Sequence, residues 1–185
     1  MLPDEGTKMK RNLPLSDVYR LIEPGPVVLL STAQKGRHNV MPMSWHMMID
    51  FEPPLVGCVV SDRNYSFGLL RATRECVLNI PSVELLPKAV ACGNSTGRRI
   101  DKFAEFGLTA VPASRVGAPL VAECYANLEC KVVDTRMVNR YGLFILQVVK
   151  AWIDRGRKRP RTFHHLGWGQ FMIAGRTVTT ASRKR

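Results

Sequence analysis

Residues 39–51, NVMPMSWHMMIDF, limit the fold more than any other stretch of the chain. In an extended chain Met41, Met43, Trp45, Met47, Ile49 and Phe51 fall on one side, and Pro42, Ser44 and His46 on the other. That alternation predicts a strand with one dry face and places Met41, Met43, Trp45 and Met47 in a core. The second side is irregular. Pro42 cannot donate to a sheet ladder, so the pattern also predicts a strand whose hydrogen bonding is interrupted there.

The neighbouring segments extend this into a sheet. PVVLLSTA, a turn at QKGRH and the segment above form a β-hairpin that Pro53-Pro54 ends, and LVGCVV (55–60) has the unbroken apolarity of a strand buried on both faces. SDRNYS (61–66) leads into a helix over SFGLLRATRE, with Asn64 or Ser66 as cap. CVLNIP is a strand, Ser82–Ala91 a helix, CGNSTGRR a polar loop and DKFAEFG a short helix. Cys124 to Val132 alternates as a half-buried antiparallel strand does, GLFILQVVKAW is a long strand, and FMIAGRTV closes the sheet. Ser16 caps a short helix, DVYRLI, stopped by Pro24-Gly25-Pro26. Strands dominate without strict βαβ alternation, so the expected class is mainly β with inserted helices.

A length of 185 residues suits one domain, 1–185, with a core over about 20–175 and a basic tail over 176–185. No run reaches the roughly 18 to 20 apolar residues of a membrane span, and MLPDEGTKMKRNLP lacks a signal-peptide core, so a cytoplasmic protein without membrane contact is expected. Five cysteines with no C-x-x-C pair argue against a disulfide framework; Cys58 and Cys76 read as core residues and Cys92 as the one in loop-like company. The net charge of +12 brings nucleic acid into consideration. Much of that excess lies in RGRKRPR (155–161) and SRKR (182–185), and the aromatics are not interleaved with it as stacking platforms, which disfavours a nucleic-acid-binding β-barrel.

Nucleotide fingerprints are missing. Gly167-Trp168-Gly169 starts like G-x-G-x-x-G but Met172 holds the third glycine position, and GNSTGRR has no P-loop lysine. SDRNYS is the best candidate anion loop: it leaves a buried strand and enters a helix, offering backbone N–H groups, the Ser66 hydroxyl, the Asn64 amide and the Arg63 guanidinium. A helix cap with a surface arginine explains the same residues equally well. CGNSTGRR could be a second anion turn, although its pattern better fits a helix end with Gly93 in the left-handed region; Lys102 is open to either reading. In TFHHLGWG the adjacent His164 and His165 point to opposite faces and have no zinc spacing, so no metal site is expected; with Phe163 and Trp168 they form an aromatic cluster that suits lining a pocket or stacking over a flat ligand better. No G-x-S-x-G elbow or paired nucleophile occurs.

Taken in order, NVMPMSWHMMIDFEPPLVGCVVSDRNYSFGLLRATRECVLNIP, then CGNSTGRRIDKF, AECYANLECKVVD and more loosely FHHLGWGQFMIAG, resemble the flavin reductase-like FMN-binding split-barrel family and its flavoredoxin branch. The resemblance implies a six-stranded antiparallel split β-barrel with helical insertions, forming a homodimer that holds FMN noncovalently. It implies a flavin ring against Met43, Ser44, Trp45 and His46, and a phosphate in the loop Ser61, Asp62, Arg63, Asn64 and Ser66, with Cys92, Gly93 and Lys102 as neighbours. The implied reaction is hydride transfer from NAD(P)H to FMN and electron delivery to an acceptor or redox partner protein, with no covalent catalytic residue. Where the family places a G-x-H segment on a late strand, this chain has Leu143 and Phe144. His46, His164 and His165 are the remaining candidates for positioning, a flavoredoxin-like carrier without NAD(P)H activity is the alternative, and RGRKRPR could attract the extra phosphate of NADPH.

Overall fold

A computed structural model describes residues 11–18, 26–167 and 169–181. The strands are β1 (Arg11–Asn12), β2 (Val28–Gln34), β3 (Arg37–Met43), β4 (His46–Phe51), β5 (Pro54–Val59), β6 (Glu75–Ile80), β7 (Ala110–Val111), β8 (Leu120–Val121), β9 (Ala126–Asp134), β10 (Leu143–Ile153), β11 (Phe163–Gly167) and β12 (Gln170–Ile173). The helices are α1 (Tyr65–Thr73), α2 (Leu86–Gly93), α3 (Lys102–Glu105) and α4 (Val138–Tyr141). The expected DVYRLI helix falls largely outside the described residues; Leu15–Asp17 forms a 3-10 turn.

The main sheet is antiparallel, in the order β3-β2-β6-β9-β10-β5-β4, with β1 beside β10. It curls so that β3 and β4, joined only through Ser44 and Trp45, are its two edges. This is the split barrel the sequence leads one to expect, with seven strands along the path where six were expected. The extra strand arises because the opening segment is two strands and not one.

That break overturns part of the core assignment. Met43 is buried and Met41 packs on the barrel core, but Trp45, Met47, Ile49 and Phe51 are 71%, 56%, 45% and 61% exposed. After the Ser44–Trp45 link the inward residues are His46 and Met48, so the alternation restarts one residue out of phase, and a shift of one moves every side chain to the opposite face. Val59 N–H donates to Trp45 O at 2.9 Å, which fixes the link against β5. Met47 and Ile49 lie over Gly57, where an added Cβ would come 3.0 Å from Ile49 Cδ1.

One core cluster fills the barrel around Leu30, Leu78, Leu128, Phe144 and Leu146; a second joins Leu29 and Val40 to α2, Phe103 and Phe163. Three further expectations need correcting. β9 is not half-buried: Asn127 and Glu129 on its polar side are fully covered by the 112–121 segment. Glu129 accepts from Ser114 N, Arg115 N and Trp152 Nε1 at 3.1, 2.6 and 2.7 Å, and Asn127 Nδ2 donates to Asn79 Oδ1 at 2.7 Å, so polar residues are buried with their bonds made. FMIAGRTV does not close the main sheet; β12 pairs only with β11. Cys92 is buried in α2, and all five cysteines are buried. Among the described residues no helix is long and apolar enough to cross a membrane.

Candidate functional site

The edge strand β3 has its outer side unpaired, which is where a strand tolerates Pro42. Two cavities open along it. The larger, about 350 Å³, is walled by Val27, Met43, Ala89, Phe163 and Phe171, with Ser44, Asn94 and His165 as polar members. The smaller, about 140 Å³, is lined by Asn39, Arg63, Asn64, Ser66, Thr96 and Lys102 among others. Pro42 and Gly93 belong to both, so the cavities adjoin. A Cβ on Gly93 would lie 3.0 Å from Pro42 Cγ, so the end of α2 can approach β3 this closely because residue 93 has no side chain.

The smaller cavity gathers cationic side chains and hydrogen-bond donors. It sits at the start of α1, whose cap position, Asn64, makes no side-chain capping bond; Phe67 N–H donates to Asn64 O at 3.1 Å, and the cavity is lined at this helix end by Tyr65 and Ser66. Ser66 is fully buried and accepts from Asn39 Nδ2 at 2.7 Å. Lys102 is buried too, its Nζ donating to Cys92 O at 2.6 Å. Burial holds the Lys102 ammonium below the usual lysine range, with the Cys92 thiol pulling the other way. Burial pushes that thiol up to about 11, against the nearby Lys102 and Lys88 charges. Cys92 is thus an uncharged wall residue, and Lys102 a cation short of partners. Gly97 is required here, since a Cβ on it would run into Asn39 Oδ1.

The larger cavity is aromatic on the hairpin side. Phe171 meets Phe163 edge-on at 5.8 Å between centroids and His165 in a tilted contact at 5.1 Å. His165 therefore lines the cavity while His164, its neighbour along β11, points away.

The structure brings together Met43, Ser44, His165 and Gly93 at the larger cavity and Arg63, Asn64, Ser66, Cys92, Gly93 and Lys102 at the smaller. Ser61 and Asp62 are exposed and shape the turn; Asn64 N–H donates to Ser61 O at 3.0 Å and Arg63 N–H to Ser61 Oγ at 3.3 Å. Trp45 is exposed and lines neither cavity. His46 is held apart, its Nε2 2.7 Å from Pro26 O; burial, and secondarily His164, lower its pKa, so the neutral ring donates to that carbonyl. Gly93 is not left-handed, and α2 is capped by Asn94 at φ −80°. RGRKRPR walls neither cavity: Arg157 Nη1 donates to Ser82 Oγ at 2.6 Å, and Arg161 O accepts from Val83 N. Phe163, expected from the TFHHLGWG cluster to line a pocket, does line the larger cavity, whereas sequence reading missed Asn39, Gly97 and Phe171. Asn39 carried a signal, being a polar residue in phase with Met41 and Met43.

The family model for the flavin reductase like domain matches residues 19–170. This chain belongs to the flavin reductase-like family. Within it, the chain is 34% identical over 187 residues to the uncharacterized protein YddH of Escherichia coli K12, covering 92% of this chain and 99% of that one. An FMN-binding domain of a flavin reductases-like enzyme from Shewanella baltica superimposes with a TM-score of 0.87 at 26% identity, covering 94% of this chain and 98% of that one. The flavoredoxin of Desulfovibrio vulgaris shares the fold, with a TM-score of 0.77 at 23% identity over 86% of this chain and 92% of its own.

Proposed function

We propose that this chain is an FMN-dependent oxidoreductase that takes hydride from NAD(P)H onto noncovalently bound FMN and passes electrons to an acceptor. One observation carries the reading. An apolar, aromatic cavity adjoins a small one holding a buried lysine, an arginine, a buried hydroxyl and the start of a helix, which fits a flat ring with an anionic end. The residues fit the group: among the described residues the buried Lys102 ammonium donates to the Cys92 carbonyl, which leaves N–H groups for an anion. When bound, FMN supplies the hydride-accepting ring. Lys102, Arg63 and Ser66 hold and neutralise the phosphate, Ser44 hydrogen-bonds the ring, and Phe163 and Phe171 exclude water beside it. His165, on the wall of the larger cavity, orients the second ring.

The test is an absorbance titration with FMN and riboflavin, followed by steady-state oxidation of NADH and NADPH. Tighter binding of FMN than riboflavin, with oxidation above that of free flavin, is expected. FMN binding without such oxidation selects the alternative, a flavoredoxin-like carrier fed by a redox partner protein. Phe144 favours that alternative, because it is buried in the barrel core and has no hydrogen-bonding group to offer a nicotinamide.

The outward stripe of Trp45, Met47, Ile49 and Phe51 is the subunit contact in this proposal. Three large apolar side chains on edge strand β4 and Trp45 just before it are a feature that association removes from water. Light scattering on the eluting protein is expected to give a dimer, and Met47→Glu a folded monomer; a wild-type monomer at micromolar concentration would rule the contact out.

A further inference from the structure

Two buried polar atoms on the β2–β3 hairpin have no partner among the described residues: Thr32 Oγ1 and Asn39 Oδ1, the second on the wall of the smaller cavity. One can donate and the other accepts. Thr32 and Asn39 are directly opposed in the β2–β3 register, so their side chains share a face, with Cβ atoms about 5 Å apart. Both are buried, as is Ser66, to which Asn39 already donates. A dry setting makes an unmade bond costly and a made one strong. These orphans can therefore satisfy each other by side-chain rotation alone.

The direction of the resulting chain matters. Asn39 could present its amide to Ser66 either way round. With Nδ2 toward Ser66, as observed, the Ser66 oxygen is occupied as an acceptor and its proton remains for the cavity. With the amide reversed, Asn39 would take that proton. An anion at the Ser66 end favours the first arrangement, and a donor at Oδ1 locks it.

We propose that Thr32, which touches no ligand, is a positioning residue of the anion cavity. Its hydroxyl donates to Asn39 Oδ1, Asn39 Nδ2 donates to Ser66 Oγ, and the Ser66 hydroxyl donates to the phosphate. This rests on the FMN reading above, and its test separates the two. FMN and riboflavin are titrated into wild type, Thr32→Val and Thr32→Ser, and the melting temperature of each free protein is measured. Thr32→Val is expected to weaken FMN about 3- to 10-fold, the share of one neutral hydrogen bond, with riboflavin affinity unchanged. Thr32→Ser should stay within about twofold of wild type, and free Thr32→Val should melt somewhat lower than wild type, since it leaves Asn39 Oδ1 buried without a donor. FMN affinity equal to wild type in Thr32→Val, or an equal loss for FMN and riboflavin, would overturn the proposal. If Thr32→Val does not fold, Thr32→Ala gives the same comparison. A wild type that binds FMN no better than riboflavin defeats the FMN reading itself.

Discussion

Lys102→Met is expected to weaken FMN binding roughly 10- to 100-fold while riboflavin binds as before, the range for losing a hydrogen bond to a charged group. Methionine keeps the aliphatic stem that packs between β3 and α2, so the fold is retained. The free protein should melt at the same temperature or higher, because a buried ammonium with one carbonyl partner is removed. The pH dependence follows from the direction of its shift. Burial disfavours the protonated form, so the cost to the free protein is full below the depressed pKa and fades as pH rises toward the ordinary lysine range. A phosphate dianion restores the ammonium. FMN binding in the alkaline range should therefore take up protons, read as a buffer-dependent heat in calorimetry, and Lys102→Met should abolish that dependence. Equal losses for FMN and riboflavin, or an unchanged FMN affinity, would remove Lys102 from the phosphate site.

Glu129→Ala should be the most destabilising single change away from the cavities, costing about 3–5 kcal/mol. The carboxylate is the common acceptor for the Ser114 and Arg115 backbone N–H groups, the Ser114 hydroxyl and the Trp152 indole. Deleting it orphans these donors together and opens a void against β9. For a chain of this size the melting temperature should drop by roughly 10 °C. A drop of only a degree or two would mean that water replaces the carboxylate without cost.

How much of this could be read in advance differs from element to element. The β2–β3 hairpin, the LVGCVV strand and α1 follow from local patterns, apolar runs ended by Lys35-Gly36 or by the SDRNYS turn, and the structure contains them. The loop before α1 was legible because helix starts and phosphate groups ask for the same residues. Trp45 and Met47 were misplaced because alternation assumes a continuous strand, and nothing in the sequence announces a phase break at Ser44–Trp45. Glu129 and Asn127 looked solvent-facing because hydrogen-bond partners of theirs come from residues 14 and 6 positions away, in a segment with no pattern of its own. Asn39 was overlooked because a lone polar residue in a hairpin suggests no role until Ser66 and Gly97, distant in sequence, are brought beside it.

The Ser44–Trp45 link makes chain length at this point more critical than side-chain identity. Any residue there that keeps the Trp45 carbonyl against Val59 preserves the parity of everything downstream. Deleting one residue between Met43 and His46 would pull the Met47 and Ile49 side into the barrel and expel Met48, while β3 and its cavities held their positions. Tolerance to substitution and tolerance to insertion or deletion, which usually go together in a loop, should therefore separate here, and a scan of both kinds across residues 43–46 would find the boundary between the two edges of the sheet.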